Sequence, residues 1–539
     1  MLPIPTPSAL AAFVGCVAML SIGLGTASSV TTALAGGCFV GLALALGVTM
    51  PIGRRVRRQR LEFAWWLGHG DPAAGGGAVV PGAPFEVRCY IRHRGPMSLL
   101  LSKLSPIVPG GATVKEDEPT ELVLAARSRT EFSFTLIAPA AGRVVLHGLS
   151  VTLRGPLGLF EVPLYFPNPL AIKVLPRAAR LRSVARLRSS LGVDRSGRNL
   201  LRRRGGGTEL HELRELSPGD PFKSIAWKAS ARAGKLMVRE VEQEVQETRV
   251  LVLDVSGTMR GGPPGSRKLD FAIEAAAAEA RKALDEGDRF GLVTVDGRVL
   301  SFVPPRDGAT HMIRIYDALL SATEVVDQDL TDVTDDEVIR TVGRYVRNQD
   351  GVDFSMRTGT DDRWDVPALL RHVRRSLDGE HASRDIVAGS PTGANMRAFC
   401  QARGIPLPYR PAPEGGTKAP GLADALQRAS GKKREPASLM VITDFDGAGD
   451  IEPLLDSARL AKSRGHAMIF IVPDAQSFAP APTSTLEADL RVVYQHGESR
   501  RLRDARTRLG RMGIPVVSAG ERHPGTAHRS KGPPRREVA

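Results

Sequence analysis

Residues 250–259 read VLVLDVSGTM: four aliphatic side chains in a row, then Asp254, then a turn that carries Ser256 and Thr258. An unbroken aliphatic run of this length suits a strand covered on both faces, and such strands belong to parallel sheets flanked by helices. The sequence downstream agrees. An Ala-rich helix is expected at 269–284, closed by Gly287, then a strand at 290–295 and a helix at 311–320. Further on come a helix at 422–429, a strand at 439–443, a helix at 451–464 followed by Gly465, and a strand at 467–472. A last helix ends near Arg511 and a last strand covers 515–518. This alternation predicts an α/β Rossmann-like domain over 249–520. Between 321 and 413 the rhythm breaks into a charged stretch, helical at 335–346 and 366–377, which reads as an insertion riding on the edge of that domain.

Open parallel sheets work at the carboxyl ends of their strands. Three loops belong to that edge: the turn of Asp254, Ser256 and Thr258, the Gly415-Gly416-Thr417 run ahead of a helix, and Asp444 at a strand end. A carboxylate followed at two-residue steps by two hydroxyls presents three oxygens to one point. Hard oxygen donors suit Mg2+, or Ca2+ or Mn2+. The expected ligands are Asp254, Ser256, Thr258, Thr417 and Asp444, with a position left for water or a partner's acidic group. This pattern resembles the metal-ion-dependent adhesion site of von Willebrand factor A domains, written DxSxS with a later Thr and a later Asp. Thr258 stands where that pattern has Ser, and Thr331 or Thr334 are alternatives to Thr417. The resemblance implies a protein-binding domain rather than an enzyme.

A second resemblance lies just upstream. Residues 207–221 read GTELHELRELSPGDP, followed by IAWKASAR at 225–232, GKL at 234–236 and Glu240. These closely resemble the signature of the bacterial domain-of-unknown-function family fifty-eight. That family's layout is also similar: an N-terminal membrane hairpin, a β-sandwich, the signature and a von Willebrand A-like domain. It implies a bacterial inner-membrane protein, partnered by a MoxR-type AAA+ ATPase. Trp227 and its apolar neighbours are expected to pack the lead-in against the sheet, with Arg214, Asp220 and Arg232 in ion pairs.

The first charged residue is Arg54. Two apolar spans, 8–25 and 32–52, are each close to the ~20 residues a membrane-crossing helix needs. The cluster GRRVRRQR at 53–60 follows the second, which places both ends of the hairpin (1–60) and everything downstream in the cytoplasm. The rival is a cleaved signal ending near Ala33-Leu34-Ala35, which lacks a basic lead and is followed by more apolar sequence. After a linker at 61–82, residues 83–176 alternate with period two, Phe85, Val87, Cys89 and Ile91 being the clearest case. Further short runs at 122–124, 132–137, 144–146, 151–153 and 172–175 predict a β-sandwich. The segment 177–248 joins a basic connector to the signature. Ten arginines against one acid, Asp194, fill 177–204 and suit an anionic leaflet. Residues 521–539 read as a disordered tail.

The 539 residues exceed one ordinary core, and the formal charge of +15 bears on partners rather than fold. Cys16, Cys38, Cys89 and Cys400 form no CxxC pair and are expected to stay reduced. The enzymatic rival is a haloacid-dehalogenase-like, Mg-dependent phosphatase, for which Asp444-Phe445-Asp446-Gly447 supplies two carboxylates. Ser256 cannot replace the acid-base Asp that Asp254 would need. A nucleic-acid-binding membrane protein is the third reading, resting on the arginines, but no interleaved aromatics stand among them to stack bases. No Walker A loop or protease nucleophile motif is present.

Overall fold

The computed structural model describes residues 3–59, 61–68, 78–108, 112–115, 122–177, 210–217, 220, 222–241, 246–358, 361–377, 386–410, 417–431, 435–478 and 482–519. The arginines at 180–204, Gly415 and Gly416, the tail and residues 69–77 of the linker lie outside the described residues. The chain divides into two compact units. The first comprises 1–177, 263–265 and 320–411; the second comprises 178–262, 266–319 and 412–539.

The first unit opens with helices α1 (Pro7–Gly25) and α2 (Ser29–Gln59), packed together across a short turn. Thr6 caps α1 by accepting from the Ala9 amide, and Pro7 takes the first turn, where its missing amide costs nothing. At about 1.5 Å per residue, 19 and 31 residues exceed or approach the ~30 Å of a hydrocarbon core. Leu10, Phe13, Val14, Ile22, Leu34 and Leu44 are exposed on them, so both helices are long and apolar enough to cross a membrane. Glycine is required at the crossing, since a Cβ on Gly23 would stand 2.7 Å from Thr32 Oγ1.

Two antiparallel sheets follow. One has the order Glu62–Leu67, Pro84–Arg92, Arg129–Ile137, Thr113–Val114; the other runs Ile4–Pro5, Phe160–Val174, Gly142–Arg154, Leu99–Ile107, Leu122–Leu124. Their inward residues, among them Phe85, Val87, Cys89, Leu104, Val151 and Leu164, share one core. The runs at 144–146 and 151–153 form a single strand, because the glycine between them makes a bulge instead of a turn. A Cβ on Gly148 would stand 2.3 Å from Phe166 O.

Residues 320–411, expected on the α/β edge, group with the sandwich. Helices Asp335–Tyr345, Val366–Ser376 and Pro391–Arg403 enclose a small core of Val338, Val342, Leu369, Val373, Phe399 and Cys400. His147 Nδ1 of the sandwich lies 3.1 Å from Tyr345 OH.

The second unit begins with the signature. Strands Leu210–Glu215 and Met237–Val241 form an antiparallel ribbon, and α3 (Trp227–Ala233) ends at Gly234 in the left-handed conformation. Trp227 does not pack the lead-in. It is 61% exposed beside Phe222, and the buried positions are Ile225, Ala226 and Val238. Asp220 accepts the Ser217 amide at 2.8 Å and so closes a turn. Trp227→Ala should therefore change stability by no more than about 0.5 kcal/mol. A loss of several degrees in melting temperature would mean that the indole packs after all.

The main sheet has strands β1 (Thr248–Asp254), β2 (Arg289–Val295), β3 (Val299–Arg306), β4 (Ser438–Ile442), β5 (Ala467–Pro473) and β6 (Val516–Ala519). Their order is β3-β2-β1-β4-β5-β6, parallel except for β3, which pairs antiparallel at the edge. No strand was expected at β3. Its Pro304 and Pro305 are tolerated because an edge strand need not donate on both sides. Helices α4 (Lys268–Asp285), α5 (Ala309–Thr323), α6 (Lys418–Ala429), α7 (Glu452–Ser463) and α8 (Thr485–Arg511) accompany the sheet. Val250 and Val252 of β1 share a core with Leu422 and Leu426 of α6, Leu454 of α7 and Leu509 of α8. Alternate residues Leu251 and Leu253 are equally buried, as strands covered on both faces require.

Candidate functional site

In an open α/β sheet the ligand crevice forms where the strand order reverses, here between β1 and β4. Asp254 ends β1, and Thr443 and Asp444 directly follow β4. Parallel pairing in register brings these two strand ends side by side. Asp254 Oδ1 accepts the Ser256 amide at 3.0 Å, which tightens the turn, and Asp254 Oδ2 accepts the Thr443 hydroxyl at 2.7 Å. The Ser256 and Thr258 hydroxyl oxygens are 3.2 Å apart, and Thr258 donates to Asp444 Oδ1 at 3.1 Å. Four of the five expected ligands thus meet at one point.

That point already holds a cation. Lys418, the first residue of α6, is wholly buried. Its Nζ lies 2.6 Å from Asp254 Oδ2, donates to Asp444 Oδ1, and reaches Thr258 Oγ1 at 2.9 Å and the Asp446 carbonyl at 3.1 Å. A second ammonium, from Lys268 at the start of α4, holds Asp444 Oδ2 at 3.1 Å and Glu498 of α8 at 3.2 Å. Burial alone would lower the Lys418 pKa, but Asp254 and Asp444 outweigh it and hold the group above the ordinary lysine range. Burial would likewise raise Asp444; Lys418 and Lys268 outweigh that and keep the carboxyl well below its usual range. Both partners are therefore charged at neutral pH.

Close packing sets the entry of α6. A Cβ on Gly421 would stand 2.1 Å from Asp296 O, so only glycine lets the helix start lie against the loop after β2. The loop after β4 carries strain: Phe445 is buried with φ +56, a conformation costly for any side chain but glycine. This places Asp446 so that it pairs with Arg501 at 3.0 Å and accepts from Tyr494 OH.

Thr417, the fifth expected ligand, has a buried hydroxyl with no hydrogen-bond partner among the described residues. The alternatives are used elsewhere: Thr331 accepts from Arg397 at 2.7 Å, and Thr334 caps the helix Asp335–Tyr345. The oxygen set is hard in kind, yet Mg2+ asks for six oxygens at about 2.0–2.1 Å. With Lys418 on both carboxylates, the residues do not fit a divalent ion at that point. Lys268, Lys418 and Glu498 went unread in the sequence; the available signal was a lysine opening each of two helices that start at the working edge.

Sheet order and loop convergence define the second unit as an α/β domain with its working edge at the switch point. By sequence, the profile of a family described as protein of unknown function DUF58 matches residues 212–344. Uncharacterised proteins of Mycobacterium tuberculosis (strain ATCC 25618 / H37Rv) and Mycobacterium bovis (strain ATCC BAA-935 / AF2122/97) are each 31% identical over 129 residues. That stretch is 23% of this chain and 41% of theirs, so the chain spans less than half the length of the curated relatives it matches. Among solved structures, Escherichia coli alpha-2-macroglobulin from domain MG7 to the C-terminus is similar over 22% of this chain and 17% of its own, at 16% identity and a TM-score of 0.16. A FixG-related protein from Vibrio parahaemolyticus is similar over 21% and 95%, at 6% identity and a TM-score of 0.15.

Proposed function

We propose that this protein is a membrane-anchored protein-binding scaffold, held by α1 and α2 on the cytoplasmic side of a bacterial inner membrane, whose docking point is the tip of the α/β unit. The observation that carries the reading is that the charged groups at the switch point satisfy one another. Asp254 and Asp444 are buried and ion-paired, which leaves neither as an accessible nucleophile or base. The cavity that touches Asp444 is about 40 Å3, against several hundred for an ordinary small-molecule site. Around this closed centre the loop at 260–262 and residues Gly449 and Asp450 offer surface. The sequence resemblances supply the kind of partner, a MoxR-type AAA+ ATPase. Docking at this tip needs no Mg2+, since Lys418 takes the place of the ion.

Gly261 suits a test because a Cβ there meets nothing within 4 Å. Gly261→Arg in the full detergent-solubilised chain should abolish capture of the cell's MoxR-type ATPase at an unchanged melting temperature. Undiminished capture would contradict tip docking. A phosphatase activity that Asp446→Asn removes would replace the reading with an enzymatic one.

A further inference from the structure

We propose that the Lys418 ammonium is the built-in cation of the switch-point site, so that the tip is held together without a divalent metal. The inference concerns the site just described but needs no partner. Its ground is the oxygen shell: two carboxylates, a hydroxyl and a carbonyl, drawn from the β1 and β4 loops, converge on one nitrogen. The contacts to Asp254, Thr258 and Asp446, at 2.6, 2.9 and 3.1 Å, have N–H···O length. A metal at this point would cross-link the same two loops. Lys418 does so and ties them to α6 as well.

Three further features oppose an exchange of lysine for metal. Lys268 already occupies the other oxygen of Asp444, so a dication would enter a carboxylate pair matched by two ammonium groups. The Thr443 hydroxyl and the Ser256 amide engage both oxygens of Asp254. The helix start that carries Lys418 is itself held in place, since Gly421 seats α6 against Asp296 O. Against these stands one orphaned hydroxyl, that of Thr417, and a single neutral oxygen does not hold a divalent ion.

The test is Mn2+ titration of the full chain in detergent micelles, read from the free-ion electron paramagnetic resonance signal. The wild type should leave the signal unchanged up to millimolar Mn2+, and its melting temperature should be the same in EDTA as in Mg2+. Lys418→Ala vacates the point and should gain one Mn2+ per chain, a gain that Asp254→Asn then removes. Wild-type binding of one Mn2+ that Asp254→Asn abolishes would overturn the proposal, as would a rise of several degrees in wild-type melting temperature on adding Mg2+. A folded Lys418→Ala chain that binds no Mn2+ would overturn the assignment of this point as the cation seat. If Lys418→Ala does not fold, the two wild-type measurements decide.

Discussion

Asp254→Ala should destabilise the α/β unit instead of silencing a surface. The sequence treats Asp254 as a metal ligand at an exposed tip, where its loss would leave the fold intact. In the structure it is 1% exposed and meets the ammonium of a Lys418 that is 0% exposed. Removing Asp254 leaves the buried ammonium only Asp444, which Lys268 already shares, and breaking a buried pair costs about 3–5 kcal/mol. For a unit of this size that corresponds to a fall in melting temperature on the order of 10 °C. The same deletion strips the Thr443 hydroxyl and the Ser256 amide of their acceptor, so the turn after β1 loosens too. The double variant Asp254→Asn with Lys418→Met should recover part of the loss, because it removes the half-paired ammonium together with its partner and leaves Asp444 to Lys268. Thermal and urea unfolding of the full chain read this directly. An Asp254→Ala transition within a degree of wild type would mean that the pair is solvated and that the tip is not built on it.

Arg397→Met should cost a similar amount in the first unit. The guanidinium is wholly buried in the helix Pro391–Arg403 and serves as the hub of the loop ahead of the helix Asp335–Tyr345. Its Nη1 donates to Val326 O at 3.0 Å and to Thr331 Oγ1 at 2.7 Å, while Nη2 donates to Val333 O at 2.8 Å. Asp335, 3.4 Å from Nε, supplies the countercharge. Methionine fills much of the volume but leaves three acceptors and one carboxylate without their donor; each buried orphan costs about 1–3 kcal/mol. Protease nicking between 326 and 335 should rise many-fold, with the melting of the first unit shifted down. Protection equal to wild type would show that the loop is held by other contacts. The effect should leave the tip of the second unit unchanged, which separates it from the Asp254 result.

Several elements can be read directly from residue order. The run 250–253 with Asp254 behind it makes a buried strand ending in a carboxylate, and β4 repeats the pattern with Asp444. Both are local signals, since hydrophobic period and the residue at a strand end need no knowledge of neighbours. The parallel sheet then follows from the helix between successive strands, and the meeting of Asp254 with Asp444 follows from the sheet. The two apolar helices are equally legible, because their length and lack of charge are properties of a window of sequence.

Tertiary structure decided the rest. Residues 320–411 interrupt the α/β sequence but pack with the sandwich, an outcome set by side-chain fit such as His147 against Tyr345. Trp227 looks like a core residue by type and lies in the open, while Ile225, Ala226 and Val238 take the buried positions around it. At the site the choice fell between neighbours. Thr417 and Lys418 adjoin at the start of α6, and consecutive helical residues point about 100° apart, a turn holding about 3.6 of them. Spacing along the chain can bring that helix start to the carboxylates. Which side chain then enters depends on the rotation of the helix, and packing fixes that rotation where Gly421 rests on the loop of Asp296.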